Sequence, residues 1–230
     1  MTQLEEELKQ LTKAVIEMTA LALGQIEKAK EAYMKMDMEI AQEVIHNESR
    51  MDAMELSIDR DCENIFALFN PVASDLRFVI AVLKINSDLE RIGDHADGIA
   101  DYVVDCNEAV KSELIVSTNL NSMFDIAISM LRDIKTAFEK KDATLARKVY
   151  QKDAELNQIN KKASQLISEF VQKEPHMIRQ ALFLFSTIRK VERVGDHIKN
   201  IAEDLIFYLE AVVVKHNTKN GLNSIIERND

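Results

Sequence analysis

The sequence has no tryptophan, two prolines and five glycines in 230 residues. Gly and Pro punctuate turns, so their scarcity excludes a fold of many short strands and favours long helices. The two cysteines, Cys62 and Cys106, form no close-spaced pair, which excludes a disulfide framework and a thiolate zinc site. No uncharged apolar run approaches the roughly 18 residues that span a bilayer. The opening Met1-Thr2-Gln3-Leu4-Glu5-Glu6-Glu7 has no apolar signal core. These lacks predict a cytoplasmic protein with no direct membrane insertion. Positive charge is also short. The formal net charge is -10, whereas phosphate backbones select basic faces, so no nucleic-acid partner is expected.

What is present is ordinary for a globular chain, with 47% apolar and 30% charged residues. The length suffices for one large or two small domains, each with a core, and the ten methionines suit adaptable helix–helix packing. The acidity is local. Residues 1–112 hold 11 Lys and Arg against 23 Asp and Glu, whereas residues 113–230 hold 18 against 16.

The chain is a tandem repeat. Glu90-Arg91-Ile92-Gly93-Asp94-His95 recurs as Glu192-Arg193-Val194-Gly195-Asp196-His197, and both copies run on to Ile-Ala and an acid, at Asp101 and Glu203. Seven of these twelve positions are identical at a fixed offset of 102 residues, which makes chance an implausible source.

Apolar spacing predicts three long helices in each repeat. Leu4, Leu8, Leu11, Val15, Met18 and Ala22 alternate steps of four and three, a core stripe for a first helix over 3–34 capped by Thr2. Asp37 caps a second helix ending near Leu68, and Pro71 suits the first position of a third that runs to Asp105. The stripe of that third helix is Phe78, Val82, Ile85, Leu89, Ile92, Ala96, Ile99 and Val103. Residues 107–118 read as a polar joint. The pattern then repeats with a helix over 119–140, a restart at Asp142, a turn at Glu174-Pro175 and a last helix reaching Lys215. The expected fold is all-α, two tandem antiparallel three-helix bundles over 1–112 and 113–216, with a polar tail over 217–230. Helices of this length make an elongated molecule.

The third and sixth helices carry a second face that begins apolar and turns acidic. In the first repeat it ends Glu90, Asp94, Asp97, Asp101; in the second it ends Glu192, Asp196, Lys199, Glu203. Like charges four apart oppose a helix, so such a row needs compensation. The second helix has a matching row, Glu48, Asp52, Glu55 and Asp59. Folding about Pro71 puts Glu48 level with Asp94 and Asp52 level with Glu90. Folding about Glu174 and Pro175 puts Asp153 level with Asp196 and Asn157 level with Glu192. Carboxylates converging from two helices suit a hard cation. The competing reading is that both rows are solvated helix faces. Gly93 and Gly195 each cost about 1 kcal/mol against Ala inside a helix, and close helix approach is the preferred account of both. His95 and His197 lie to one side of the acids and read as hydrogen-bonding residues on the flank.

At these residues the chain resembles the PhoU family of bacterial phosphate-signalling regulators. The resemblance rests on the two Glu-Arg-x-Gly-Asp-His segments and on Pro71, Ala73, Asp75, Leu76 and Arg77, and it covers roughly residues 10–214. It implies a pair of three-helix bundles with multinuclear metal clusters. The matching ligands are Glu48, Asp52, Glu90 and Asp94, then Asp153, Asn157, Glu192 and Asp196; Asp97, Asp101 and Glu203 are further candidates. Fe, Zn, Mn and Mg all remain open. The second repeat departs from the pattern at Asn157 and Lys199, so the first site is expected to hold metal more tightly. The resemblance also implies a non-enzymatic negative regulator of phosphate uptake and phosphate-starvation signalling. Its implied partners are the ATPase subunit of a phosphate ABC transporter and a sensor histidine kinase, which would bring the protein to the inner face of the membrane. A homodimer is the expected assembly.

Two other functions compete. A ferritin-like di-iron protein would use Glu-x-x-His pairs, and Glu43 with His46 is the only such spacing found near the acid rows. A plain helical adaptor explains the bundles but leaves the matched acid rows without a reason.

Overall fold

The computed structural model describes residues 2–106 and 109–214. Among these residues there are helices and no strands. Six helices are long: α1 (Gln3–Lys35), α2 (Met38–Phe69), α3 (Ala73–Asp105), α5 (Leu120–Lys140), α7 (Val149–Lys173) and α8 (Ile178–Glu210). Two short ones, α4 (Ser112–Ser117) and α6 (Ala143–Arg147), lie between them.

The expected caps are present. Thr2 and Glu5 form a capping box at α1, and the Asp37 carboxylate accepts from the Glu39 and Ile40 N–H groups at α2. Asp142 accepts from Leu145 N–H at α6. All eight residues of the predicted α3 stripe are buried, as are Leu11, Val15, Met18 and Ala22 of α1. Helices α1, α2 and α3 pack as one bundle, and α5, α7 and α8 as the other.

Local chemistry changes the predicted elements at five places. Pro71 is not in α3: Asn70 ends α2 in the left-handed region (φ 46°), the chain stays extended through Val72, and the helix opens at Ala73. In the second repeat Pro175 opens a single 3₁₀ turn, Pro175–Met177, before α8. The middle helix of that repeat divides at Lys148, whose N–H turns to the Leu145 carbonyl three residues back. The polar joint holds the short helix α4. Helix α8 stops at Glu210, because Ala211 takes a left-handed cap (φ 58°) and the β-branched Val212, Val213 and Val214 are poor helix continuers. The predicted tail over 217–230 lies outside the described residues.

The two bundles lie side by side. Helices α3 and α8 run antiparallel and form the most extensive contact between the repeats, supported by α1 against α5. Phe78 stacks near Tyr208 at one end of this seam, and Tyr102 near Phe183 at the other. The longest dimension is therefore set by one helix of 33 residues, roughly 50 Å. The seam has a local two-fold relation: Asp88 meets Asn200, while Gly98 meets Lys190. Those pairs exchange under the 102-residue offset.

Candidate metal centre

Each acid row occupies the boundary of its hairpin, between the buried stripe and water. Its positions are fixed by the apolar residues that alternate with it: burying Leu89, Ile92, Ala96 and Ile99 forces Glu90, Asp94, Asp97 and Asp101 to the other side of α3. Gly93 lets α2 come close, since a Cβ there would stand 3.2 Å from Met51 Cγ. Gly195 does the same for α7, where a Cβ would stand 2.5 Å from Leu156 Cδ1. Close helix approach is thus the role of both glycines.

The first repeat gathers six carboxylates: Glu48, Asp52 and Glu55 from α2, Glu90, Asp94 and Asp97 from α3. Burial and the neighbouring acids raise the pKa of Glu48, Glu55, Glu90, Asp94 and Asp97. Desolvation, then Asp94, Glu55 and Asp52, push the Glu90 carboxyl up to about 7. Glu48 is raised by desolvation and by Asp52, Asp97 and Asp94. Glu55 and Asp97 are raised by desolvation and their acidic neighbours, and Asp94 by desolvation and Asp52. Arg91 and Lys190 relieve this only at a distance. None of the six makes an ion pair among the described residues. Asp101 is exposed beyond Asp97.

The facing levels differ from the count about Pro71 by about one turn. Asp52 is the main acidic neighbour of Asp94, and Glu55 comes before Asp52 at Glu90. The cause is side-chain direction. Every Cα–Cβ bond leans toward its own helix N-terminus, so in an antiparallel pair the two leans are opposite and matched side chains come from residues further along. The second hairpin shifts alike: Asp153 meets Lys199, and Glu192 accepts from Asn160. Glu55 thereby joins the first cluster. Its place in the row Glu48, Asp52, Glu55 was the available signal.

The second repeat is built otherwise. Asp153 is 6% exposed, and Lys199 Nζ lies 3.2 Å from its Oδ2 and 3.7 Å from Asp196 Oδ1. Asn157 Nδ2 donates to the same Asp153 Oδ2 at 3.2 Å. Burial, then Asp196, raises Glu192, with Arg189 and Asn160 opposing. Glu203 is buried and adds to the negative field at Lys199.

The flanking histidines reach across the seam. His197 Nδ1 is 2.7 Å from Asp88 Oδ1, and Asn200 Nδ2 donates to the same oxygen at 3.3 Å. The His95 ring lies 5.4 Å from that of His197. Burial, then the adjacent His197 ring and the Lys190 ammonium, hold His95 down to about 4, so it is neutral near pH 7. Asp88 stands at the start of the repeated segment, but nothing in its sequence spacing marks it as the partner of a histidine 109 residues away.

The residues of the first repeat fit a hard cation by their chemistry. They are all oxygen donors, their charge is uncompensated, and Asp97 Oδ1 is buried with no hydrogen-bond partner. Among the described residues, no three carboxylate, imidazole or thiol groups converge on one point. Holding an ion would require side-chain rotations, which these partly exposed positions permit. The second repeat does not fit, because Lys199 already supplies the positive charge. The ferritin-like pair is not assembled either: Glu43 is tied to Lys28 of α1, and His46 is exposed.

A profile of the PhoU domain matches residues 15–103 and again 120–205. The chain belongs to the PhoU domain family. A PhoU homolog of Aquifex aeolicus, named a phosphate-specific transport system accessory protein, is 36% identical over 93% of this chain and 96% of its own length. The crystal structure of PhoU from Pseudomonas aeruginosa superposes with a TM-score of 0.87 at 31% identity, covering 91% of this chain and 100% of that one. The phosphate transport system regulatory protein PhoU from Streptococcus pneumoniae superposes with a TM-score of 0.84 at 31% identity, covering 92% and 99%. These PhoU relatives are named as accessory or regulatory proteins, in keeping with the expected non-enzymatic role.

Proposed function

We propose that this chain is an accessory protein of phosphate transport and a metal-binding negative regulator of phosphate uptake and phosphate-starvation signalling. It links the ATPase subunit of a phosphate ABC transporter to a sensor histidine kinase. The names of its relatives support the accessory role. The observation that carries the metal reading is the uncompensated cluster of Glu48, Asp52, Glu55, Glu90, Asp94 and Asp97, with Asp97 Oδ1 buried and unpartnered. Such a cluster is costly without a cation, and a bound ion would couple metal occupancy to the packing of α2 on α3.

Partner contact is supported by apolar side chains left in water at the hairpin tips. Leu68 and Val72 are each 71% exposed in the first repeat, and Ile178 and Leu182 are 51% and 59% exposed in the second. No helix among the described residues is long and apolar enough to cross a membrane. This accords with a cytoplasmic protein drawn to the inner face of the membrane by its partners. A homodimer is part of the same reading.

The test is co-purification of the intact protein with the transporter ATPase and with the kinase. Binding should fall on chelation and in Glu90→Ala/Asp94→Ala. Capture of neither partner would overturn the signalling reading. Elemental analysis that finds no metal on the native protein would overturn the metal reading.

A further inference from the structure

We propose that Lys199 is a built-in counter-ion that takes the place of a metal ion in the second repeat, leaving only the first repeat open to a cation. The inference rests on the metal reading of the first site.

Three features carry it. The 102-residue offset puts Lys199 where the first repeat has Asp97, whose Oδ1 is buried without a partner. In the second repeat the corresponding ammonium lies 3.2 Å from Asp153 and 3.7 Å from Asp196, one acid from each helix of the hairpin. That is the bridging placement a cation would take between the two rows. Next, Asp153 is buried at 6% exposure, whereas every acid of the first cluster is at least partly exposed. A buried carboxylate must be paired and hydrogen-bonded, and Lys199 with Asn157 does both at one oxygen. Finally, Asn157 stands where Asp52 stands in the first row. One acid has become an amide donor and another a base, so the charge that would attract a divalent ion is gone at both positions.

A metal ion entering the second site would have to expel a tethered ammonium or sit beside it. The tether makes the ammonium's association intramolecular, without the entropy loss that a free ion incurs. Placing a divalent ion next to it adds like-charge repulsion at a few ångströms. The repeat thus keeps the mechanical benefit of a cation between α7 and α8 while losing dependence on metal supply.

The experiment measures Mn²⁺ and Zn²⁺ stoichiometry by calorimetry and elemental analysis on the full chain. Lys199→Asp should bind ions beyond the wild-type number. The extra uptake should survive Glu90→Ala/Asp94→Ala in the same chain and vanish on adding Asp153→Asn. Lys199→Gln, which removes the charge and leaves a polar amide one atom shorter, should also gain uptake, more weakly, so the idea remains testable if the aspartate variant fails to fold. With the fold intact by circular dichroism, no gain in either variant overturns the proposal. Loss of wild-type metal on Asp153→Asn but not on Glu90→Ala/Asp94→Ala also overturns it. A wild type that binds no metal while Lys199→Asp gains it would sink the first-site reading but uphold the counter-ion role of Lys199.

Discussion

His197 of the second repeat holds Asp88 of the first, Nδ1 to Oδ1 at 2.7 Å, with both side chains largely shielded at 14% and 13% exposure. A shielded polar pair loses more when one partner is removed than when both are, since the survivor keeps its desolvation cost. Asp88→Ala and His197→Ala should each destabilise the protein by about 1–3 kcal/mol in denaturant unfolding. The double variant should lose clearly less than the sum of the two. Strict additivity would mean that the contact carries no coupling between the repeats.

Glu90 makes the metal-free protein sensitive to pH. Its folded carboxyl sits near 7 against an ordinary 4.5, so between these values the folded state keeps a proton that the unfolded chain has released. Stability from this group is full below about 4.5 and is lost as pH rises through about 7. In chelator, Tm should fall over that window, and Glu90→Gln should flatten the decline. Adding Mn²⁺ should offset it, because a metal ion binds the deprotonated acids. A Tm that climbs through the same window in chelator would contradict the assignment.

Gly93 and Gly195 occupy equivalent positions but should respond unequally to alanine. Both substitutions gain about 1 kcal/mol of helix propensity. At Gly93 the new methyl meets the pliable Met51 side chain at 3.2 Å; at Gly195 it meets the fully buried Leu156 Cδ1 at 2.5 Å. Gly93→Ala should be close to neutral, and Gly195→Ala should cost about 1–3 kcal/mol from overpacking. Thermal unfolding of the pair decides this, and equal Tm values would show that Leu156 yields freely.

Ala211 ends α8 in the left-handed region that glycine occupies without a Cβ penalty. Ala211→Gly should therefore stabilise the protein by about 1 kcal/mol, read as a higher Tm. A lower Tm would mean that unfolded-chain entropy outweighs the relief of strain.

The stripes were legible because each long helix has a buried face of regular spacing. Phe78 through Val103 on α3 needed nothing beyond that periodicity. The acid rows were legible for the same reason, as the residues that periodicity leaves outside. Their facing levels were not, since counting Cα positions about a turn ignores the opposed lean of side chains on antiparallel helices. That lean moved Glu55 into the first cluster and Lys199 onto Asp153. The seam was the least legible part. Asp88, Lys190, His197 and Asn200 meet only because α3 packs against its own copy, and a repeat's sequence does not say that its partner will be the other repeat.

That antiparallel seam makes each half of the chain the other's missing neighbour. Asp88 with Asn200 and Gly98 with Lys190 are one contact written twice, with the charge changed at one end. An ancestral single repeat could close the same surface only by pairing with an identical copy, and there the two occurrences of the contact would be identical. Fusion into one chain freed the two ends to diverge, so that Lys190 can face the acids of the other half while Asp88 answers a histidine.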